Sequence, residues 1–457
     1  MAIIDFLKKK IKFTTTHIIL FSFLAAIFIG ALLLTLPISS ADGEWTPFVD
    51  ALFTATTSTC VTGLVVAPTY AAWSTFGHIV IIILVQIGGL GVITVVAGLS
   101  LMMNKKMGLS DNLLLQDAFN LNSLSGLSEF VKKVIIGTFV IEGLGAISYM
   151  TVFIPEYGLR GIWISVFTSI SFFCNAGMDI ILPDSFCTYV GNPVINITSY
   201  ALIVLGGLGY IVWWDVIRVF RESRVKKKHL FRRLTLQSKI AIVTTFSLIF
   251  GGALLFFIFE YNNPMTMKDF TLSERIYASF FQSITTRTAG CFTVPQECLT
   301  NASAVLSIVL MFIGGSPVGT AGGIKTVTFT VLLCSTIATI KNKNNVSIFN
   351  RTLTKESINK AVAVLMLYLI VAISSMILLS MTTDAPMLDV VYEVTSAVAT
   401  VGLTRNLTPY LPTLGKLIVA ATMYFGRIGP MSLALALNNK KKIENITKDP
   451  AEDISVG

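Results

Sequence analysis

The stretch Thr285-Thr286-Arg287-Thr288-Ala289-Gly290-Cys291-Phe292 decides the fold, because its glycine has a counterpart in every quarter of the 457-residue chain. The four glycines are 114, 113 and 112 residues apart, and each follows a hydrophobic segment too short to cross a membrane. The copies read Val61-Thr62-Gly63-Leu64, Asn175-Ala176-Gly177-Met178, Thr288-Ala289-Gly290-Cys291 and Thr400-Val401-Gly402-Leu403. Four like units around one axis predict a pore.

The composition is that of a membrane protein. Hydrophobic residues make up 54% of the chain and charged residues 13%, against about 25% charged in a soluble domain. A spanning helix needs roughly 20 apolar residues. Eight runs meet this length and predict eight spanning helices in an all-α polytopic fold: 17–38, 76–103, 131–154, 194–217, 240–260, 302–340, 361–381 and 413–437.

The positive charges predict the orientation. Of 34 Lys and Arg residues, 26 lie in five segments that alternate with acid-bearing segments: 1–15, 104–133, 218–239, 341–360 and 440–457. The positive-inside rule therefore places both termini on the cytoplasmic side of a cell membrane. The net charge of +9 is better explained by anionic lipid headgroups than by nucleic acid, because nothing resembles a nucleic-acid-binding module. The cluster from Arg218 to Lys239 is also a candidate docking surface for a cytosolic partner.

These patterns divide the chain into four repeats joined by cytoplasmic segments. The predicted boundaries are a cytoplasmic N-terminus 1–15, repeat 1 at 16–103, a loop 104–129, repeat 2 at 130–222, a loop 223–238, repeat 3 at 239–340, a loop 341–356, repeat 4 at 357–437 and a cytoplasmic tail 438–457.

The segment before each motif glycine is predicted to enter the membrane and turn back. These segments are Phe48 to Thr59, Gly161 to Phe173, Glu274 to Thr286 and Leu388 to Ala399. A helix of about 12 residues covers about 18 Å, little more than half of a hydrocarbon core of about 30 Å. Non-helical backbone at that depth is tolerated where it lines a water-filled path. Asp50 and Asp389 lie near two of the helix starts, where a carboxylate favours the positive end of the helix dipole. The negative ends then point toward a cation.

The motif offers backbone carbonyls rather than a metal cage. The three histidines are scattered, and a glycine that takes positive φ lets successive carbonyls turn toward one axis. Such rings replace the water shell of K⁺. One glycine alone would indicate only a turn, but four in register predict a selectivity filter. Its residues are Val61, Thr62, Gly63, Asn175, Ala176, Gly177, Thr288, Ala289, Gly290, Thr400, Val401 and Gly402, with the hydroxyls of Thr62, Thr288 and Thr400 as candidates to hold the loops.

The even number of spanning helices in each repeat distinguishes a pore from a carrier. Each repeat has two predicted spanning helices, so all four share one orientation, related by an axis along the membrane normal, unlike inverted-repeat carriers. This predicts a pseudo-fourfold pore. A membrane enzyme would need acids, histidines or a nucleophile lining one cavity, and the sequence shows no such constellation.

A second glycine motif follows each filter at similar depth: Gly88-Gly89-Leu90-Gly91, Gly206-Gly207-Leu208-Gly209, Gly314-Gly315-Ser316-Pro317 and Gly426-Arg427-Ile428-Gly429. In repeat 3 it expands, and glycine and proline cost about 1 and 3 kcal/mol against alanine in a helix. We predict two half-helices joined by an intramembrane gate loop at 313–324, with a kinked helix as the alternative. Its candidate gate residues are Gly314, Gly315, Ser316, Pro317, Gly319, Thr320, Gly322, Gly323 and Lys325.

Several charged residues fall inside predicted membrane segments. Arg427 lies near the middle of run 413–437, too deep to reach an interface, so we predict that it faces the gate loop and donates to its carbonyls. We predict that Arg287 and Glu393 pair behind the filter, because an unpaired buried charge is costly. Glu142 has no predicted transport role and is expected to bond a neighbouring loop or pore helix.

The strings TTRTAGCF (285–292) and TSAVATVGLT (395–404), within a fourfold helix–pore loop–helix repeat, resemble the Trk/Ktr/HKT superfamily of potassium transporters. The resemblance covers the whole chain and is greatest to the bacterial KtrB membrane subunits. It implies K⁺ uptake, often Na⁺-dependent, with Na⁺ as a possible activator. Glycine at all four filter positions, including Gly63, resembles the K⁺-selective branch. A same-fold channel that passes Na⁺ about as well is the alternative, and a secondary carrier a more distant one.

The resemblance also implies an assembly. Such subunits form homodimers with one pore per protomer, and tail 438–457 is expected to reach the partner protomer. They work with a cytosolic ring of RCK-domain subunits, of the KtrA or KtrC kind, that bind ATP or ADP. This chain has no Gly-rich phosphate loop of its own, so we expect no cofactor on it and nucleotide control through the ring.

Overall fold

The computed structural model describes residues 15–102, 113, 127–181, 185–222, 230–343 and 345–429. Residues 1–14, most of loop 104–129, residues 223–229 of loop 223–238 and the whole of tail 438–457 lie outside this set. Predictions for those segments therefore stay predictions.

The first half of the chain forms two helical units that share a long helix, a short helix and a bent helix pair, and the first unit has an additional one-turn helix. Repeat 1 has α1 (Thr15–Thr35), α2 (Phe48–Cys60), α3 (Thr69–Ala72), α4 (Thr75–Leu90) and α5 (Val92–Met102). Repeat 2 has α6 (Leu127–Tyr157), α7 (Arg160–Cys174), α8 (Pro193–Leu208) and α9 (Tyr210–Glu222). Short 3-10 turns at Pro37–Ser39 and Cys187–Tyr189 lie in the connections.

In the second half, each repeat again has a long helix followed by a short helix. After α10 (Leu230–Arg233), repeat 3 has α11 (Leu236–Glu260), α12 (Leu272–Thr285), α13 (Asn301–Phe312) and α14 (Thr326–Ile340). An antiparallel pair, β1 (Ser347–Ile348) and β2 (Arg351–Thr352), leads to repeat 4. That repeat has α15 (Lys355–Ser380), α16 (Met387–Ala399) and α17 (Thr413–Ile428), with 3-10 turns at Gln296–Cys298 in repeat 3 and Thr408–Tyr410 in repeat 4.

Four short helices match the predicted re-entrant segments to within two residues, and we call them the pore helices: α2, α7, α12 and α16. They contain 13, 15, 14 and 13 residues, about 20–22 Å of helix. Asp50 and Asp389 lie in the first turns of α2 and α16. A capping box of Thr271 and Glu274 begins α12, which satisfies two backbone donors at its start.

The prediction that runs 76–103, 194–217 and 413–437 are each one continuous helix is wrong. Helices α4 and α5 meet at 94° at Gly91, and α8 and α9 meet at 97° at Gly209. Helix α17 ends at Ile428, before Gly429. All three glycines have φ of +86 to +87°, a conformation that glycine adopts without steric cost. The last glycine of the second motif therefore ends the helix.

Among the described residues, three helices are long and apolar enough to cross a membrane, in α1, α11 and α15, and five spans result if each bent pair counts as one. The prediction of eight spanning helices goes beyond this finding. Large apolar side chains are exposed along α1, α6, α11 and α15, for example Phe28, Leu144, Leu254 and Ile370 at 55–64%. An apolar surface this extensive indicates contact with lipid, so the protein is embedded in a membrane.

Candidate ion pathway

The four motif glycines meet in one closed ring. A Cβ atom added to Gly63 would lie 2.5 Å from the carbonyl oxygen of Ala176, and one added to Gly177 would lie 2.5 Å from that of Ala289. One added to Gly290 would lie 2.7 Å from the Val401 oxygen, and one added to Gly402 would lie 2.2 Å from the Thr62 oxygen. Each glycine therefore abuts the carbonyl that precedes another motif glycine, and the last repeat closes on the first.

The backbone repeats the same conformation in every loop. Residues two positions before the glycines have positive φ: Val61 at 55°, Asn175 at 60°, Thr288 at 76° and Thr400 at 50°. The glycines themselves have φ of 67–100°. β-Branched residues rarely adopt this region, so surrounding contacts must hold Val61, Thr288 and Thr400 there. In each loop the two residues of positive φ are separated by one residue that lies outside this region.

A hydroxyl from each pore helix fixes its own loop. Thr57 accepts the N–H of Gly63 at 2.9 Å, and Ser396 accepts that of Gly402 at 3.0 Å. Ser171 donates to the Met178 oxygen at 2.6 Å and accepts the Met178 N–H. Thr285 donates to the Cys291 oxygen. These four residues were not among the predicted site residues, although all lie five or six positions before their glycine.

The predicted role of the Thr62 and Thr400 hydroxyls is wrong. Both are buried and have no hydrogen-bond partner in the described residues. The hydroxyl of Thr288 does hold the loop, because it accepts from the Asn175 amide at 3.3 Å across the boundary between repeats 2 and 3.

The second glycine motif lies directly beneath the pore helices. A Cβ atom added to Gly88 would lie 1.9 Å from the Thr59 oxygen. At Gly206 it would lie 2.1 Å from the Phe173 oxygen, and at Gly426 2.1 Å from the Val398 oxygen. All three oxygens belong to the residue four positions before the filter glycine. Only a residue without a side chain fits, and it brings helices α4, α8 and α17 against the negative ends of three pore helices.

In repeat 3 a loop takes this place, between α13 and α14, where the sequence predicts the helix break. Its two ends join, since the Ile324 N–H donates to the Phe312 oxygen at 3.1 Å. Its tip crosses to repeat 2: the Ser316 N–H donates to the Gly207 oxygen at 2.8 Å, and the Tyr210 N–H donates to the Val318 oxygen at 2.9 Å. The loop is thus bound to its neighbour by backbone hydrogen bonds.

The loop also lies beside the ring of four motif glycines. The Thr320 hydroxyl donates to the Phe173 oxygen at 3.1 Å, and a Cβ atom added to Gly322 would lie 2.6 Å from the Ala399 oxygen. It therefore contacts the ends of the pore helices of repeats 2 and 4.

Arg427 lies in the last turn of α17 rather than in the middle of a longer helix. As predicted, it donates to a loop carbonyl, that of Thr320. It also donates to the Gly88 oxygen at 2.6 Å, which links the loop to repeat 1. Lys325 donates to the Ala321 oxygen at 2.7 Å. A further residue, Tyr368 on α15, donates toward the Gly323 and Gly426 oxygens, each at 3.3 Å; the sequence did not indicate it.

The predicted pair of Arg287 and Glu393 does not form. The Arg287 guanidinium donates to the Thr245 oxygen at 3.1 Å and to the Gly314 oxygen at 3.0 Å. The Glu393 carboxylate accepts from the hydroxyls of Thr404, at 2.6 Å, and Thr408. Each charge is satisfied by neutral polar groups close to it, so neither needs the other.

Other charges brace the pore helices from outside. Lys416 contacts Asp50 at 2.6 Å, and Arg405 contacts Asp389 at 2.7 Å. Glu142 is buried and accepts from Gln86 at 3.3 Å, while its backbone oxygen accepts from Ser169 of α7 at 2.6 Å. The carboxylate also accepts from the Cys174 thiol of α7 at 3.8 Å. Of the two expected partners of Glu142, a neighbouring loop or a pore helix, the structure shows the pore helix.

Four short helices converge on one ring of glycines and backbone carbonyls, and such a ring suits the passage of a cation. The family model described as TrkH, cation transport protein, matches residues 7–446. The chain belongs to this family, within which it is related to Ktr system subunits.

Individual relatives agree. The chain is 38% identical to the potassium/sodium uptake protein NtpJ of Enterococcus hirae, over 99% of both chains. It is 37% identical to the Ktr system potassium uptake protein B of Bacillus subtilis, over 94% of both. The crystal structure of the potassium transporter TrkH from Vibrio parahaemolyticus matches with a TM-score of 0.71 and 16% identity, covering 91% of this chain and 84% of that one. These relatives are ion transporters, not enzymes.

Proposed function

We propose that this chain is the pore subunit of a Ktr-type system that takes up K⁺ through a channel-like, pseudo-fourfold pathway. The ring of Gly63, Gly177, Gly290 and Gly402 carries the proposal, because each glycine leaves room for a neighbouring carbonyl where any side chain would collide. Carbonyl oxygens in a ring replace the hydration shell of a large monovalent cation. The names of the relatives, which specify potassium or potassium and sodium, support the same cargo.

The loop 313–324 is the proposed gate. It lies beneath the filter and is held by Arg427 through Thr320, so an ion leaving the filter meets both the loop and a fixed positive charge. Replacing Arg427 with alanine removes the charge and the two carbonyl contacts, and we expect a higher flux. Arg427→Lys keeps the charge but only part of the contacts, so its flux should fall between. Unchanged or lower flux in folded Arg427→Ala protein would contradict this gate.

The proposed assembly is a homodimer bound to a cytosolic nucleotide-binding ring, with both termini in the cytoplasm of a bacterial cell. Three relatives, from Bacillus subtilis and Vibrio alginolyticus, are named as members of a Ktr system, and the cation-rich segments indicate the cytoplasmic side. Within this assembly uptake depends on Na⁺, which either activates the pore or is transported with K⁺. Selectivity rests on a single ring of glycines, so a channel that passes Na⁺ nearly as well as K⁺ is the second candidate, favoured by the potassium/sodium name of one relative.

The first test is radioactive rubidium uptake in a K⁺-uptake-deficient bacterium that expresses this chain with or without a ring partner, over a range of Na⁺ concentrations. Gly290→Ser places a side chain where a Cβ atom would lie 2.7 Å from the Val401 oxygen, and we expect it to abolish uptake. The matched control is Gly251→Ser, since Gly251 has no heavy atom within 4 Å of an added Cβ.

Saturable uptake that is lost in Gly290→Ser, kept in Gly251→Ser and increased by the ring partner supports the proposal. Equal loss with both variants, or none with either, would contradict the filter assignment. Equal competition by Na⁺ and K⁺ would favour the second candidate.

A further inference from the structure

An apolar groove of about 510 Å³ lies on the outside of repeats 3 and 4. Helices α13, α14, α15 and α16 line it, and the only polar side chains among its lining residues are Thr336 and Thr395. The Thr336 hydroxyl already donates to the Leu332 oxygen at 3.0 Å. Val309, Leu333 and Ile373 line the groove and are 49–54% exposed, so the groove opens to the surroundings of the protein.

The groove lies at the depth of the hydrocarbon core. Its residues Leu365 and Leu369 lie in the middle of α15, which is a candidate spanning helix. Water is excluded at this depth, and the neighbouring surface residue Ile370 is 60% exposed. An occupant must therefore be apolar. The groove is continuous with lipid-facing surface, which favours a lipid chain.

The inner wall of the groove is formed by the neck of the loop, by which we mean Ile313 and Ile324, the residues where loop 313–324 begins and ends. Phe312, Ile313 and Ile324 line it, and Ile313 pairs with Ile324 where the loop begins and ends. The ring of Phe312 packs edge-on against Tyr368 with centroids 6.5 Å apart. Tyr368 in turn donates toward the Gly323 and Gly426 oxygens. A chain in the groove thus touches Ile313 and Ile324, where the loop begins and ends.

Positive charges lie at one end of the groove. Helix α14 ends at Ile340 and is followed by Lys341, which lies five residues beyond Thr336 and so about 7.5 Å farther along the helix direction. Lys341, Lys343, Arg351 and Lys355 are all exposed, at the end where α14 stops and α15 starts. Lysines at such an interface attract anionic lipid headgroups.

We propose that the groove binds one acyl chain of an anionic phospholipid, with the headgroup against Lys341 and Lys343 and the chain against the loop neck at Ile313 and Ile324. The filled groove supports the neck in its present position and so restricts opening of the loop. The proposal that a lipid binds depends only on the groove, whereas the proposed effect of the lipid on ion flux also depends on the proposed gate.

The binding test uses the full chain in bilayers of phosphatidylcholine with phosphatidylglycerol that carries a photoactivatable group near the end of one acyl chain. Adducts are mapped by mass spectrometry of peptides. We expect labelling concentrated on groove residues such as Leu332 and Leu369. Leu369→Trp fills the groove and should abolish that labelling, while Ile370→Trp, its neighbour on the lipid-facing surface, should keep it. Leu333→Trp fills the groove from the opposite wall and serves if Leu369→Trp fails to fold.

The headgroup test compares photoactivatable phosphatidylglycerol with photoactivatable phosphatidylcholine. In the double variant Lys341→Gln, Lys343→Gln, we expect the preference for phosphatidylglycerol to fall roughly tenfold, since each cation near a membrane surface adds to the attraction for an anionic headgroup. A preference that does not change would overturn the headgroup assignment.

Two results would overturn the site. Labelling spread evenly over the outer helices and insensitive to Leu369→Trp would mean ordinary surrounding lipid. Labelling of the surrounding surface with none on groove residues would mean that a second copy of the chain fills the groove. Rubidium uptake then separates the two proposals. If labelling is lost in Leu369→Trp but uptake is unchanged while Gly290→Ser still abolishes it, the lipid site stands and its link to the gate fails. If Gly290→Ser has no effect either, the proposed function fails.

Discussion

The region beneath the filter is built in two ways, one in repeats 1, 2 and 4 and another in repeat 3. In the first, a helix glycine packs on the carbonyl at the end of its own pore helix, and a second glycine three residues later ends the helix. In repeat 3, Gly314 faces the Gly322 oxygen of its own loop, and the loop reaches the pore helices of its neighbours. The same residue type therefore contacts its own pore helix in three repeats and its own loop in the fourth.

The largest effect should come from breaking the contact between the helix glycine and its own pore helix. Gly206→Ala places a methyl group 2.1 Å from the Phe173 oxygen and 2.8 Å from the Thr320 hydroxyl, and overpacking against backbone costs about 3 kcal/mol. We expect a clear loss of folded protein and of thermal stability, measured by tryptophan fluorescence in detergent. Gly143→Ala is the control, because Gly143 has open space around it and alanine favours a helix by about 1 kcal/mol. Equal stability of the two variants would disprove the close packing.

A second effect distinguishes two views of the buried charges. Arg287→Met leaves the Thr245 and Gly314 oxygens unpaired, which should cost about 2 kcal/mol. Because Glu393 has separate partners, the cost of adding Glu393→Gln should be additive, with a coupling free energy below about 0.5 kcal/mol. Thermal unfolding of both single variants and the double variant measures this. A coupling free energy well above that value would indicate that Arg287 and Glu393 do interact, contrary to the structure.

A smaller effect tests strain at the tip of the loop. Val318 has φ of +61°, which costs a side-chain-bearing residue about 1–2 kcal/mol. Val318→Gly removes this strain, but glycine loses more conformational entropy on folding than valine does. The net effect should be a rise of about 1 kcal/mol in the free energy of unfolding. Its reciprocal control is Gly209→Ala, at φ of +87° and with an added Cβ 2.4 Å from the Pro317 oxygen, which should destabilise. The strain would be absent if both changes had the same sign.

The smallest effect belongs to the start of pore helix α12. The backbone N–H of Thr271 donates to the Glu274 carboxylate, and the Thr271 hydroxyl donates to it as well. Both hydrogen bonds lower the pKa of Glu274 below the usual value of a glutamate, and the backbone bond has the larger effect. A carboxyl group whose pKa is lower in the folded state than in the unfolded state stabilises the fold at pH values above the unfolded-state pKa of about 4.3. This stabilisation is lost as the pH falls through the folded-state pKa. Glu274→Gln should therefore lower the melting temperature slightly at neutral pH and not in acid well below that pKa. An equal difference at both pH values would exclude the carboxylate as the cause.

The sequence predicts the pore helices to within two residues because their length, apolar content and following glycine all indicate the same break. It does not predict the bends at Gly91 and Gly209, since a glycine inside an apolar run is compatible with both a helix interior and a helix end. The ring of glycines was predicted from their spacing. The hydroxyls that hold it were missed, because Thr54, Thr56 and Ser58 on the same helix bond backbone oxygens four residues back, and only the fold separates Thr57 from them.

The partners of buried charges were the least predictable feature. The sequence offers side chains as partners, so Arg287 and Glu393 appeared complementary. The structure satisfies Arg287 with two backbone oxygens that a helix and a loop expose. Such acceptors have no signature in the sequence, and Tyr368 was overlooked for the same reason.

The order in which the glycines touch has a consequence for how the protein is made. Gly63 meets Ala176, yet the Thr62 oxygen meets Gly402, which belongs to the last quarter of the chain. A ribosome that has released three repeats has therefore produced an incomplete enclosure with one side missing. The ring of glycines is therefore closed only when the final quarter of the chain lies beside the first.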